Sequence, residues 1–256
     1  MNILVIGDVV GEQGCEFLRR HLPAFKKLKA VDLCIANGEN SAPGNGVTSA
    51  SATHMFGSGV DFITTGNHVF KRKEVYDFLD SRKDIIRPAN FYSGNPGRGT
   101  GIIDMGSVKV GVINLSGQAF MNAAENPFIC VDRLLNELED CRIILVDFHA
   151  EATSEKRGMG FYLNGRVSAV FGTHTHVQTA DEQILSEGTG YITDIGMTGP
   201  VDSVLGITPE TAFDWLVRGI SSPYKVPDTP CMLCGCIFTV DAKTGRCTGA
   251  ERVCIK

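Results

Sequence analysis

Apolar runs that stop abruptly at polar clusters recur along this chain. Residues 3–6 run into Gly7-Asp8, and residues 31–36 into Asn37-Gly38-Glu39-Asn40, the form of short buried strands feeding loops. Between them Phe17, Leu18, Leu22, Phe25 and Leu28 fall at spacings near three and four, which predicts a helix with one apolar face. The same unit repeats: Thr48 offers a cap for a helix to about Gly57, and residues 60–65 lead into Gly66-Asn67-His68. Residues 142–148 stop at His149, and residues 167–171 at Gly172-Thr173-His174-Thr175-His176. In the middle, residues 102–115 read as strands joined by a turn at Met105-Gly106-Ser107-Val108. Late strands are predicted over residues 190–194, 235–240 and 250–255, and Thr208-Pro209-Glu210 opens a helix to about Ile220. This mixture predicts an α/β fold of two packed mixed β-sheets flanked by helices. No repeat or linker divides the sequence, so residues 1–256 are expected to form one domain.

Composition narrows the function classes. With 43% apolar and 21% charged residues in 256, the chain can bury a large core and is not disordered. No apolar run approaches the roughly 18 residues of a membrane span. The balance of 24 Lys plus Arg against 29 Asp plus Glu gives a net charge of −5, which argues against broad nucleic-acid coating. The first eight residues lack a basic segment ahead of an apolar core, so a cytoplasmic protein is expected. Nine scattered cysteines in so long a chain read as reduced thiols. Cys231, Cys234 and Cys236 have a zinc or redox look, but Cys247 and Cys254 lack a paired spacing. Cys234, Cys236, Phe238 and Val240 instead alternate as one buried strand face would, and packing is the reading favoured.

Ligands of open α/β sheets bind beyond the carboxyl ends of the strands. Here those ends deliver Asp8, Glu39, Asn40, Asn67, His68, His149, His174 and His176, all oxygen or imidazole groups suited to divalent metals. Any one alone has a structural reading: a helix cap for Asp8, a turn for Asn67, a hydrogen-bonded core group for a histidine. Several strand termini doing this together, beside glycines that let the backbone bend, point to a metal site.

The order Gly7-Asp8, Gly38-Glu39-Asn40, Gly66-Asn67-His68, His149, Gly172-Thr173-His174-Thr175-His176 resembles the calcineurin-like metallophosphoesterase superfamily, and more narrowly its YmdB branch of cyclic-nucleotide phosphodiesterases. The later stretch Asp194-Ile195-Gly196-Met197-Thr198-Gly199-Pro200 also resembles that branch. The wider superfamily begins Asp-x-His, whereas Val10 stands in that place here and the second acid is Glu39. In the branch an asparagine takes up the vacancy, which falls on Asn40.

The resemblance implies a metallophosphoesterase-like α/β sandwich and a dinuclear centre. A first ion would take Asp8, Glu39, Asn40 and His176, and a second Glu39, Asn67, His149 and His174, with Glu39 shared. The family implies iron, and the donor types also suit manganese or zinc. It further implies in-line attack on a cyclic nucleotide (2',3'- or 3',5'-cyclic monophosphate) by a hydroxide between the ions, with His68 as the proton donor to the leaving group. The excess local positive charge of such a centre attracts an anion despite the net −5. A nuclease or phosphomonoesterase with the same metals, or a metal-bound protein that binds nucleotide without turnover, remains open, because pocket walls rather than ligands select the substrate. A small-molecule partner is expected, with no membrane and no stable nucleic-acid partner; RNA as substrate and a homo-oligomer are left open. Lys71-Arg72-Lys73 reads as a solvated helix start, Phe70, Phe91 and Phe120 receive no stacking role, and Gly44-Asn45-Gly46 and Gly94-Asn95-Pro96-Gly97 read as loops.

Overall fold

Runs too uniformly apolar for a one-sided sheet become parallel strands covered on both faces. The computed structural model describes all 256 residues. β1 (Asn2–Ile6), β2 (Asp8–Val9), α1 (Gly11–Leu28), β3 (Leu33–Asn37), α2 (Ser49–Gly57), β4 (Phe62–Thr64) and α3 (Tyr76–Ser81) make up the first part of the chain. A hairpin of β5 (Thr100–Asp104) and β6 (Lys109–Ser116) follows, then α4 (Pro127–Glu137), β7 (Ile143–His149), α5 (Thr153–Tyr162) and β8 (Ala169–Thr173). The chain continues through β9 (Gln183–Ile184), β10 (Gly190–Ile192), β11 (Met197–Pro200), α6 (Pro209–Leu216), β12 (Cys231–Val240) and β13 (Cys247–Ile255).

One sheet has the order β2-β11-β12-β1-β3-β4 with β13 also on β12, and the other the order β5-β6-β7-β8-β10-β9. Both are mixed: β1, β3 and β4 are parallel, as are β6, β7, β8 and β10, while β12 runs antiparallel to β1 and β5 to β6. Alternate side chains separate into layers. Ile3, Val5, Leu33 and Ile35 meet Val110, Val112, Leu145 and Phe171 between the sheets. Leu4, Ile6, Cys34 and Ala36 face outward onto Leu18 and Leu22 of α1 and Met55 of α2. On the far side Ile113, Val146 and Phe148 pack under Val131 and Leu134 of α4 and Met159 of α5. The result is helices, sheet, sheet, helices, as the apolar pattern predicts.

Thr48 caps α2 by accepting from Ser51 N, and Thr208 caps α6 by accepting from Thr211 N. Two local expectations need correction. α6 ends at Leu216 rather than near Ile220, where Gly219 takes a left-handed φ of +66° that breaks the helical path. Leu28, counted on the apolar face of α1, is 78% exposed at the last position of the helix. β12 buries the alternating face expected of it, Cys236, Phe238 and Val240 entering the inter-sheet core, and its other face is buried as well, with Leu233 and Ile237 toward α1. α4, α5 and β11 are elements the apolar pattern does not announce.

Because the strands of each parallel set point the same way, their carboxyl ends open along one edge. No helix is long and apolar enough to cross a membrane.

Candidate metal centre

The residues that end β1, β3, β4, β7 and β8 meet at that edge. Glu39 and Asp8 are fully buried there. Glu39 Oε1 lies 3.2 Å from Nδ2 of Asn40, 3.2 Å from His149 Nε2 and 3.3 Å from His68 Nδ1. Its Oε2 accepts from the backbone N–H of His68 at 2.8 Å. Asn67 Oδ1 stands 2.9 Å from His149 Nε2, which is in turn 3.2 Å from His174 Nδ1. His176 Nε2 is 3.6 Å from Asp8 Oδ1 and 3.2 Å from Asn40 Nδ2. All eight residues singled out from the sequence thus belong to one connected cluster, although they come from five distant segments. Gly66 allows this crowding: a Cβ there would lie 2.2 Å from His149 Nε2.

The three ligand-type histidines are oriented from behind. Thr173 Oγ1 donates to Asp147 Oδ1 at 2.7 Å, so it accepts from His149 Nδ1 at 2.9 Å and turns Nε2 to the centre. His176 Nδ1 donates to the Leu205 carbonyl at 2.9 Å, which likewise leaves Nε2 inward. His174 Nε2 lies 3.0 Å from Glu151 Oε2, leaving Nδ1 inward. An outward N–H given to an acceptor and an inward lone pair are what a metal-binding imidazole requires.

Electrostatics agree with a place for cations. Burial alone would raise the carboxyl of Glu39, but the facing His149 and His68 hold it well below its ordinary value. Asp8 is also lowered, burial being outweighed by His176 and His149. Burial lowers His149, yet Glu39, Asp8 and Asp147 push it up to about 9. His174 falls to about 4, through burial and the neighbouring charge on His149. The raised His149 therefore carries a proton on the inward Nε2 that a metal would take, and binding would release it, while the lowered Glu39, Asp8 and His174 already present free donor atoms.

The fit to a divalent ion rests on two observations. Donor atoms of Glu39, His149 and His174 lie within 4.8 Å of one another. Asp8 Oδ1 is buried without any hydrogen-bond partner, a costly state for a carboxylate oxygen that a cation would relieve. One expected ligand is turned differently: Asn40 shows its amide nitrogen to Glu39 and His176, and its oxygen to His68 Nδ1 at 3.0 Å. Ligation through that oxygen competes with the bond to His68.

Several contributors escape the sequence pattern. Asn37 donates through Nδ2 to Thr65 O at 3.1 Å and Asp147 Oδ2 at 3.3 Å, and Thr64 Oγ1 donates to Asp147 Oδ2 at 2.5 Å. Burial raises Asp147 to about 6 in spite of His149 and these bonds. The visible signal for Asn37 and Asp147 is a polar residue in a fully buried strand, which needs partners. The motifs set aside have structural partners of their own. Arg72 ties down the Gly44-Asn45-Gly46 loop through Asn45 O at 3.1 Å and Pro43 O at 2.5 Å. Phe70 packs with Tyr76 and Phe91. All nine cysteines are free, and Cys234 faces Cys254 across β12 and β13.

The sequence matches the family described as YmdB-like protein over residues 4–253. It is 42% identical over 256 residues to the 2',3'-cyclic-nucleotide 2'-phosphodiesterase of Bacillus subtilis (strain 168), covering 100% of this chain and 97% of that protein. A protein of Thermus thermophilus with a solved structure has a TM-score of 0.93 at 37% identity, covering 100% of this chain and 99% of that one. A phosphatase of Mycoplasma pneumoniae gives a TM-score of 0.94 at 33% identity, covering 100% of this chain and 93% of that one. With the sandwich, the strand-end donor cluster and full-length similarity in agreement, the chain belongs to the YmdB-like family of the calcineurin-like metallophosphoesterases.

Proposed function

We propose that this protein is a dinuclear metal-dependent phosphodiesterase that hydrolyses cyclic nucleotides. The reading is carried by the convergence of oxygen and imidazole donors around the partnerless Oδ1 of Asp8, with His68 beside them. The Bacillus subtilis relative, matched from end to end, supports 2',3'-cyclic nucleotides as the substrate class. Asp8, Glu39, Asn40 and His176 would hold one ion and Glu39, Asn67, His149 and His174 the other. A set without thiolates suits iron or manganese as well as zinc, and iron is the assignment the family favours. When bound, two such ions supply a nucleophile from solvent near neutral pH and positive charge opposite the phosphoryl oxygens.

The chain's own groups do the rest. Thr173, Glu151 and the Leu205 carbonyl fix the imidazoles, so no reorientation is needed as charge develops. His68 stands beside the proposed ligands, its Nδ1 3.3 Å from Glu39 Oε1, and its imidazole would give a proton to the departing alkoxide.

Protein purified without oxygen is expected to carry two ions per chain and to hydrolyse 2',3'-cyclic nucleotides faster than 3',5'-cyclic nucleotides, short RNA or a simple phosphomonoester. Metal analysis and turnover on the same sample check this. Preferred cleavage of RNA or the monoester would reassign the substrate, and saturable nucleotide binding without hydrolysis in metal-replete protein would make it a binding protein.

A further inference from the structure

The turn that carries His174 and His176 is in an unfavourable backbone state. Both residues have left-handed φ, +98° and +63°, and neither is glycine. Such conformations persist only where the surroundings over-determine them. Thr175, between the two, supplies the restraint: its N–H donates to Asp194 Oδ2 at 3.2 Å and its hydroxyl donates to the same oxygen at 2.7 Å. That oxygen also receives Lys156 Nζ at 2.6 Å, from the interior of α5. Oδ1 of Asp194 accepts from Gly196 N at 2.8 Å, and Gly196 O accepts from Asp8 N at 3.1 Å. Asp8 Oδ2 then accepts from His174 N at 3.1 Å, closing the loop.

One carboxylate therefore joins the histidine turn to the strand that presents Asp8. Its own backbone is fixed on both sides, since Asp194 N donates to Thr179 Oγ1 at 2.9 Å and Thr179 N donates to Asp194 O at 3.0 Å. Lys156 reaches Asp194 past Gly172, where a Cβ would lie 2.9 Å from its Cδ. Asp194 and Lys156 are 1% and 2% exposed, and their side chains bond to one another, Thr175 and Gly196 rather than to the side chains of the proposed ligands.

We propose that Asp194, with Lys156 as its buried counter-charge and Thr175 as its handle, is a positioning clamp that holds His174 and His176 at the separation and angle two cations need. The proposal rests on the dinuclear reading above. In its absence the turn would relax toward ordinary backbone angles and carry both imidazoles away from Asp8 and Glu39. Residues that orient metal ligands in this way change affinity by roughly ten- to a hundredfold when altered.

The test uses the full chain stripped of metal and titrated with Mn2+ in competition with a chelator, alongside thermal unfolding of the metal-free form. Thr175→Val keeps the shape and loses the hydroxyl bond to Asp194; it is expected to bind Mn2+ about tenfold more weakly, whereas Thr175→Ser, which keeps the hydroxyl, matches the parent. Metal-free Thr175→Val is expected to melt close to the parent, which separates positioning from general destabilisation. Parental Mn2+ affinity in Thr175→Val, or equal weakening in Thr175→Ser, overturns the clamp while leaving the dinuclear reading intact. A parent protein that takes up no Mn2+ and no Fe2+ overturns the dinuclear reading and the clamp with it.

Discussion

Replacing His68 with alanine is expected to lower kcat on 2',3'-cyclic nucleotides by about 10²- to 10⁴-fold while leaving the metal content unchanged. The two halves of this prediction come from different atoms of the same residue. Glu39 Oε2 is held by the backbone N–H of His68, a bond that alanine keeps. The imidazole contributes only the contacts of Nδ1 with Asn40 Oδ1 and Glu39 Oε1, and its side chain is more exposed than those of His149, His174 and His176. Removing it frees Asn40 Oδ1, which then meets less competition for a cation. A leaving group that needs no proton gives the decisive comparison. A diester that departs as p-nitrophenolate should lose little on His68→Ala, whereas the ribose alkoxide should lose the full factor. Equal losses on both, or loss of metal from the variant, would assign His68 to holding the centre together and leave the proton donor unidentified.

The strand ends were legible because a parallel strand covered on both faces is mostly apolar until it emerges, so the polar cluster that follows such a run marks the edge of the sheet. Asp8, Glu39, His149 and His174 could be read in that way. The supporting residues could not, since their partners lie on other strands: Asp147 sits in the apolar run of β7 and meets Asn37 from β3, Thr64 from β4 and Thr173 from β8. α5 was invisible for a different reason. Its buried positions are Lys156, Met159 and Gly160, with no apolar stripe among them. Gly160 is there because a Cβ would come within 2.5 Å of the Tyr191 ring, and Lys156 because a carboxylate waits beneath it. β11 holds a glycine and a proline, weak strand formers that pairing with β2 and β12 overrides. Local pattern thus reports what the core demands of each segment, while the polar network behind the centre depends on which segments the topology makes neighbours.

Lys156→Met should destabilise the protein by about 3–5 kcal/mol, because it leaves a buried carboxylate without its counter-ion. Methionine fills nearly the same volume, so little of the loss comes from a cavity. Burial already raises Asp194 above its ordinary value, against the opposing pull of Lys156 and Thr175, and removing the ammonium raises it further. The sign follows: a carboxyl whose folded value exceeds the unfolded one favours the folded state least when ionised. The deficit relative to the parent should therefore be largest above the folded value of the variant and shrink as pH falls through it. Urea unfolding of parent and variant, both metal-free, at about pH 8 and about pH 5 reads that difference directly. Adding Asp194→Asn to Lys156→Met removes the stranded charge and should recover stability, though not the hold on Thr175. A deficit below about 1 kcal/mol and flat in pH would mean that Thr175 and Gly196 alone satisfy the carboxylate, in the manner of an exposed pair. The double variant would then be no more stable than the single one, and the buried lysine would have no electrostatic reason to be where it is.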